Sequence, residues 1–494
     1  MSAPVEAGKP RLRHLRADFT ASLVVFLVAV PLCVGVSVAS GAPAELGLIT
    51  GIVGGIVTGL LPGSSLQVSG PAAGLTVLVY EAVRTYGLDM LGVLVLAAGA
   101  LQLAMGALRL GRWFRAVSVA VVQGMLAGIG LVLIAGQLYA LADISAPSGG
   151  LAKIGGLPQL AVDAFGSAAS VAALAIGAGT IAVLVLWPRL PSVSRVLPAP
   201  LAAVALATAA TVVLDPPVAR IQVQGLLDSV QPPGADGFAR LAEVGVLGTV
   251  LAFALIASAE TLFSAAAVDR MHDGPRTDYD KELVAQGAGN AVCGVLGALP
   301  MTAVIVRSSA NVRAGARTKA SRVLHGVWLL LFAAAFPAVL GIIPVAALAG
   351  VLVHAGWKLI PVKELPPLWR EHRGEAVVLA VTAVAIVVTD MFQGVLIGLL
   401  AAVVKSAWET SHVHLEVSGP LHDGTGPLRV RVLGNATFLR LPKLLDELEA
   451  LPRDRAIELD LSGLRHLDHA CRTALAGWAE QHNEEGAVPV RLPA

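Results

Sequence analysis

The sequence predicts a mainly α-helical membrane protein of about fourteen transmembrane segments in two inverted halves of seven, with two half-helices, followed by a small cytoplasmic α/β domain. Three observations carry this. Charged residues make up only 14% of the 494 residues, AVILMFWYC residues reach 56% and the mean hydropathy is +0.76, whereas globular proteins hold about 25% charged residues. The apolar residues run in stretches long enough to cross about 30 Å of hydrocarbon, or half of it where broken. The polar residues are segregated: 13 of the 34 acidic residues fall in the last 87 positions. The resulting division is a cytoplasmic tail over 1–18, a transmembrane domain over 19–407 and a cytoplasmic domain over 412–494. Lys+Arg 35 against Asp+Glu 34 leaves a net charge of +1, so there is no basic excess to hold nucleic acid. Cys33, Cys293 and Cys471 are too scattered for a disulfide framework or a Cys-rich metal site.

The N-terminal stretch, with Lys9, Arg11, Arg13 and Arg16, lacks a cleavable signal layout and reads as a retained cytoplasmic tail. Apolar stretches then start near Phe19, Leu46, Pro71, Met90, Val117, Ala168, Leu201, Val246, Leu283, Ile305, Arg322, Ile343, Ala376 and Phe392. The basic residues test their orientation, because they accumulate in cytoplasmic loops. With the N-terminus inside, Arg109, Arg112 and Arg115 follow the fourth segment, and Arg189 and Arg195 the sixth. Arg270, Arg276 and Lys281 follow the eighth, Arg313, Arg317, Lys319 and Arg322 the tenth, and Lys358, Lys363, Arg370 and Arg373 the twelfth. The opposite loops at 142–162 and 215–243 hold only Lys153, Arg220 and Arg240. Both termini are therefore expected in the cytoplasm of a bacterial cell, with the chain in its cytoplasmic membrane.

Two seven-segment blocks start at Phe19 and Val246, and an odd number per block inverts the second relative to the first. Ser69-Gly70-Pro71 breaks the third segment of one block and Thr302-Ala303 the third of the other. Corresponding breaks in inverted halves point to a transporter binding site. Each break presents a half-helix N-terminus, with unpaired N–H groups and about half a positive charge, at mid-bilayer. That is an anion cradle. Pro71 suits the first helical turn, where its missing N–H costs little, and Ala72, Ala73 and Gly74 leave room for a small ligand. Arg307 sits about one turn into the second half-helix. An Arg at the centre of a lone helix costs about 3 kcal/mol, so it should face a cavity or partner, unless it lies far enough toward the cytoplasm to reach water beside Arg313 and Arg317.

Glu260 is the only ionisable residue between Val246 and Val268. Burial disfavours the charged form of a carboxyl group, so Glu260 is held protonated, neutralised by a cation, or engaged in a structural hydrogen bond or an ion pair with Arg307. A proton makes it a carrier coupled to the anion; Na⁺ would take a further oxygen from Ser264, one turn on. His325 and His354 read as packing residues near helix ends.

The run Tyr279-Asp280-Lys281-Glu282-Leu283-Val284-Ala285-Gln286-Gly287-Ala288-Gly289-Asn290, with Gly294, Gly297 and Pro300 after it, resembles the signature block of the sulfate permease family, whose animal relatives are solute carrier family 26. Asp280 stands where Asn is usual. Arg307, Asn311 and Gly315-Ala316-Arg317-Thr318 follow the family's tenth-segment pattern, and Val30-Pro31-Leu32 and Ser69-Gly70-Pro71 match as well. The resemblance implies core and gate domains, an elevator-like shift and a homodimer. It places an anion site between segments one, three, eight and ten, here Leu32 and Val36, Ser69, Gly70, Ala72, Ala73 and Gly74, Glu260 and Ser264, and Ala303, Val304, Ile305, Val306 and Arg307. Leu32 replaces a Gln common in sulfate-type members. An apolar lining favours a weakly demanding anion over a strongly hydrated dianion, so bicarbonate leads and sulfate follows. Glu260 stands where sodium-coupled bicarbonate carriers have Asp, and Val304-Ile305-Val306 offers no hydroxyls, which favours H⁺ over Na⁺ coupling.

After 411 the pattern reads strand (428–433), helix (437–451), strand (456–461), helix (471–481) and strand (488–492), a small α/β unit with a partly parallel sheet. Ile457 to Asp468 resembles the core of a STAS domain. His469-Ala470-Cys471 follows Asp468 where related regulators carry a phosphorylated serine, which points to folding, dimer contact or partner docking. The function expected is secondary-active transport of a small inorganic anion, with a passive channel or exchanger, or a nucleobase-carrier-like transporter, as the alternative. No enzyme motif and no cofactor requirement is present.

Overall fold

The computed structural model describes residues 10–112, 118–147, 149–190, 197–222, 225–418, 428–452 and 456–485. Lys9, Arg115, Val117, Arg195, Asp423 and the strand expected over 488–492 lie outside the described residues, as do the side chains of Arg11 and Arg13. The chain divides into two compact units, one ending at Gly398 and one beginning at Leu399.

In the first unit the order is α1 (Pro10–Ala39), α2 (Ala44–Leu60), β1 (Ser69–Pro71), a 3-10 turn (Ala73–Leu75), α3 (Thr76–Tyr86), α4 (Asp89–Ala107), α5 (Val119–Leu141), α6 (Gly150–Gly155), α7 (Leu157–Asp163), α8 (Ala168–Leu186) and α9 (Ala199–Leu214). Then come α10 (Ala235–Ala239), α11 (Val244–Asp269), α12 (Tyr279–Val295), β2 (Met301–Ala303), α13 (Ile305–Arg313), α14 (Ala320–Ala335), α15 (Pro337–Gly341), α16 (Val345–Leu359), α17 (Leu365–Glu371) and α18 (Arg373–Val388), and α19 (Met391–Thr410) runs across the division at Gly398. Among the described residues five helices are long and apolar enough to cross a membrane: His14–Ala39 within α1, α4, α5, Ala168–Arg189 and α11. The helices α2, α9, α14 and α16 are shorter and apolar.

The helices pack as two groups. In one, α1, α2, α3 and α4 pack with α11, α12, α13 and α14; in the other, α5, α8 and α9 pack with α16 and α18. The tightest seam joins α4 to α12, and small residues make it possible. A Cβ on Gly99 would stand 2.5 Å from the Ala291 nitrogen, one on Gly287 2.6 Å from that of Leu103, and one on Gly106 2.9 Å from that of Val284. No side chain fits between these backbones. Between the broken segments, β1 and β2 pair antiparallel with Ser69 opposite Ala303, Gly70 opposite Thr302 and Pro71 opposite Met301. The two half-helices α3 and α13 thus start from one two-stranded ribbon.

Four sequence expectations change here. Pro71 lies in β1, not in a helical turn; the helix starts two residues later, because the ribbon holds residues 69–71 extended. Arg322, expected as a loop cation, is buried within α14, and its Nη2 donates to the Leu61 carbonyl at 3.0 Å, as does Lys319 Nζ at 3.0 Å. Both satisfy a carbonyl just past the end of α2. Lys153, also expected as a loop cation, is only 6% exposed. His325 lies inside α14 and is fully buried, and His354 lies inside α16, rather than near their ends.

In the second unit, β3 (Val413–Ser418) pairs antiparallel with β4 (Leu428–Ala436), which pairs in parallel with β5 (Ile457–Asp460) and β6 (Leu464–Leu467) along its length. A 3-10 turn (Phe438–Arg440) and α20 (Leu441–Glu449) follow β4, and α21 (His469–Glu485) follows β6. Val430, Val432, Leu444, Leu448, Ile457, Leu459 and Leu475 form the core, alternating along the strands and at helical spacing on the helices. The sheet is partly parallel, as expected, and β3 and β6 are additional to the strands expected from the pattern. The last helix begins at His469, not Cys471, because Asp468 caps it: its carboxylate accepts from Cys471 N at 2.8 Å and Phe438 N at 2.6 Å. Those N–H groups, that of Cys471 first, hold the Asp468 carboxyl below its ordinary range.

Candidate functional site

The ribbon is secured from α12, through residues on one stripe of the helix. Glu282, Gln286 and Asn290 follow one another at four-residue spacing and so share a face. Glu282 Oε2 accepts from Ser64 N at 2.7 Å and its Oε1 from Gln286 Nε2 at 3.1 Å. Gln286 Nε2 also donates to Ser69 Oγ at 2.5 Å. Asn290 meets Met301 twice, as acceptor from its N–H at 2.8 Å and as donor to its carbonyl at 3.1 Å, and donates to Gln102 Oε1 at 2.7 Å. Its amide therefore behaves as a further strand along β2. All three side chains are buried. The block that resembles a family signature in the sequence is a clamp on the two breaks.

Beyond the clamp, the backbone groups of the ribbon are largely spoken for. Ala303 N donates to Thr261 Oγ1 at 3.2 Å, Val304 N to the Val68 carbonyl at 2.9 Å, and Val68 N to Ser308 Oγ at 2.9 Å. The first-turn N–H groups of Ile305, Val306 and Arg307 have no acceptor within α13. Neither do those of Ala73 and Gly74 in the turn that opens α3. These two sets of amides, not the strand residues, are the donors available to a ligand.

A cavity of about 90 Å³ lies between the two helix groups, enough for a small anion and a few waters. From the first group it is lined by Leu32, Val36, Pro71, Ala73, Gly74, Glu260, Ser264, Val304, Ile305, Val306 and Arg307, together with Phe263. Ser69, Gly70, Ala72 and Ala303 do not line it: they sit behind, in or beside the ribbon, all of them buried. From the second group come Val122, Met125 and Leu126 of α5 and Ala355 and Leu359 of α16. Nothing in the sequence marks those five, since apolar residues on an apolar helix carry no local signal.

Glu260 reaches across from α11 to the mouth of α3. A Cβ on Gly74 would lie 2.7 Å and 2.8 Å from its two carboxyl oxygens, so only glycine leaves the carboxyl group its place. Thr302 is its hydrogen-bonding neighbour, and Oε2 has no partner. Arg307 is fully buried rather than extended toward water. Its Nη2 donates to the Pro71 carbonyl at 3.2 Å, while Nε and Nη1 have no oxygen or nitrogen acceptor. No ion pair joins Arg307 to Glu260 among the described residues. The cavity thus holds one cation, two half-helix N-termini and one carboxyl group. A bound Na⁺ would find side-chain oxygens on Glu260 and Ser264, both of which line the cavity.

A profile of the sulfate permease family matches residues 15–382. The chain belongs to the sulfate permease family. It is 28% identical over 419 residues to the "Putative sulfate transporter YvdB" of Bacillus subtilis (strain 168), covering 83% of this chain and 77% of that one. It is 25% identical over 446 residues to the bicarbonate transporter BicA of Picosynechococcus, covering 86% and 75%. Among solved structures, the transmembrane domain of a cyanobacterial bicarbonate transporter BicA superposes with a TM-score of 0.66 at 23% identity, over 79% of this chain and 98% of that one. This permease is thus a multi-pass membrane protein that transports anions, and not an enzyme.

Proposed function

We propose that this sulfate permease is a secondary-active carrier of bicarbonate, with sulfate as the second candidate, in which protonation of Glu260 is coupled to anion binding. The carrying observation is the position of the Glu260 carboxyl group against Gly74, at the opening of a half-helix. An anion seated on the amides of Ala73, Gly74, Ile305 and Val306 competes with an ionised Glu260 for the same positive dipole ends. A proton on Glu260 removes the competitor and leaves Arg307 and the two N-termini to attract the anion. The two ligands then bind together, which is the linkage a symporter requires. The lining of Leu32, Val36, Val122, Met125, Ile305 and Val306 offers few donors beyond the amides, which supports a weakly hydrated monoanion.

The repeated order of the packing groups, four segments then three in the first half and four then two, followed by α19, in the second, supports fourteen spans in a seven-plus-seven inverted repeat. The first group then serves as the core that carries the anion and the second as the gate, with an elevator-like shift between them. The excess of basic residues in alternate loops supports cytoplasmic termini in the bacterial plasma membrane, and the family resemblance supports a homodimer. The domain division is a short tail over 1–18, the transport domain over 19–407 and a STAS-like domain over 412–494 that docks a partner or stabilises the dimer.

Uptake of labelled bicarbonate and sulfate into proteoliposomes, with an imposed pH or sodium gradient, tests the reading. An inward proton gradient should drive accumulation, and Glu260→Gln should abolish the response. A response to sodium alone would assign Glu260 and Ser264 to a cation site instead. Uptake at rates far above carrier turnover, independent of both gradients, would favour a passive channel, and competition by uracil a nucleobase carrier.

A further inference from the structure

Lys153 is nearly buried in a segment where the sequence promises a solvent-exposed loop. It belongs to α6, the short helix that follows α5. The Tyr139 hydroxyl of α5 donates to the Lys153 carbonyl at 3.0 Å, and the Lys153 side chain lies along Gly136, its Cδ, Cε and Nζ each 3.7 Å from where a Cβ would stand. Fixed to α5 in this way, the ammonium group projects onto the ring of Tyr80 in α3, 5.1 Å from its centroid. Tyr80 belongs to the other helix group, and its ring packs in turn on Gly41 between α1 and α2. This contact therefore ties the two groups together.

Its position along the helices sets its meaning. Val122, Met125 and Leu126 of α5 line the anion cavity, whereas Gly136 and Tyr139, which hold Lys153, lie about 15 Å further along at 1.5 Å per residue. On α3 the cavity touches Gly74, and Tyr80 lies about 9 Å beyond it. Along α3 and α5 the two groups are thus separated by the cavity at one end and joined through Lys153 at the other, while α1 packs on α9 and α16 elsewhere. The charges around the ammonium group are Glu81 and Arg84 of α3, with Asp390 between α18 and α19 next to Glu81. No carboxylate lies within ion-pair distance of Lys153 among the described residues. An aromatic face holds a cation more loosely than a bidentate ion pair, as a contact that must open and close requires.

We infer that Lys153 and Tyr80 form a latch that closes the face of the permease opposite the anion cavity, and that this latch must open for the cavity to change sides. The inference rests on the carrier reading above. Movement of α3 relative to α5 withdraws the Tyr80 ring, and the Lys153 contact with it, so losing the latch should depopulate the state in which the cavity is open as it stands.

The test uses the full-length protein in detergent, with Cys33, Cys293 and Cys471, all buried, replaced by alanine and a reporter placed at Leu126→Cys in the cavity. A water-soluble methanethiosulfonate reagent reads how open the cavity is. Lys153→Met and Tyr80→Leu should each slow labelling at least threefold, the double variant no more than either alone, while Lys153→Arg and Tyr80→Phe keep the parent rate. Labelling unchanged in Lys153→Met and Tyr80→Leu, whether or not thermal stability falls, would overturn the latch and leave Lys153 a packing residue. The readout needs no substrate. If the labelling pattern holds but neither bicarbonate nor sulfate is taken up, the substrate reading fails and the latch stands; if uptake is normal and labelling is flat, the latch alone fails.

Discussion

The proton linkage at Glu260 gives a number. An anion seated on the Ala73 and Gly74 amides would stand about 6 Å from the Glu260 carboxyl group, given that its oxygens lie within 2.8 Å of the Gly74 Cβ position and an amide-bound ion adds about 3 Å. At an effective dielectric of about 20, two unit charges at about 6 Å repel by about 3 kcal/mol, or about a hundredfold in affinity for a monoanion, and a dianion such as sulfate is repelled by about twice that energy. The sign follows directly: the protonated carboxyl group binds the anion, so affinity falls as pH rises through its titration. Sulfate is the better probe, because its own charge stays constant between about pH 5 and 9 while bicarbonate's does not. Isothermal titration of purified protein across that range should give a dissociation constant that rises by up to about tenfold per pH unit where Glu260 titrates. Glu260→Gln should bind at every pH as the wild type does at its acid limit. A pH slope retained in Glu260→Gln, or absent from wild type throughout, would show that the carboxyl group and the anion do not compete, and the coupling argument would fail.

Gly74→Ala should leave folding nearly intact, because the atoms its Cβ meets are the mobile end of Glu260, yet it should remove the pH slope of sulfate binding; thermal unfolding and titration on one preparation check both. Gly54→Ala is the contrast. Its Cβ would stand 2.6 Å from the Ser69 carbonyl oxygen, backbone that cannot step aside, so unfolding should show a loss of about 1–3 kcal/mol. Asn290→Ala strips both partners from Met301 and leaves Gln102 with an unpaired amide oxygen, which should cost about 2–4 kcal/mol and lower the unfolding midpoint in detergent. In the C-terminal unit, Asp468→Ala removes the cap of α21 and should cost about 1–2 kcal/mol. Because the folded carboxyl group is held below its ordinary range, the stability it supplies is present above about pH 4, the unfolded value, and is lost as pH falls through the folded one. Limited proteolysis of the full chain between pH 7 and 3 should show wild type converging on the variant only at the acid end.

How much of this is legible in the sequence depends on whether the cause is local. The breaks at Ser69-Gly70-Pro71 and Thr302-Ala303 are visible because a helix interrupted by Gly and Pro is a property of a few consecutive residues. Glu260 and Arg307 are visible because a lone charge in an apolar run has to be explained within that run. The ribbon is not: three-residue strands have no periodicity of their own, and Ser69 and Ala303 find each other only through the fold. That is why Pro71 reads as part of a helical turn. Its position is set by Met301 across the ribbon, and nothing beside it in sequence reports that contact. Lys153 and Arg322 mislead for a related reason. Each is a cation at a segment end, which the charge rule counts as solvent-facing, and each is drawn inward by one distant group, the Tyr80 ring or the Leu61 carbonyl. The clamp lies between these cases. Glu282, Gln286 and Asn290, at i, i+4 and i+8 of one helix, form a polar stripe that sequence alone displays. A buried stripe of carboxylate and amides must meet backbone donors and acceptors that no regular element satisfies, and in an otherwise helical membrane unit such backbone is concentrated at the breaks. The composition of the stripe is thus enough, on hydrogen-bond accounting, to tie α12 to both half-helices.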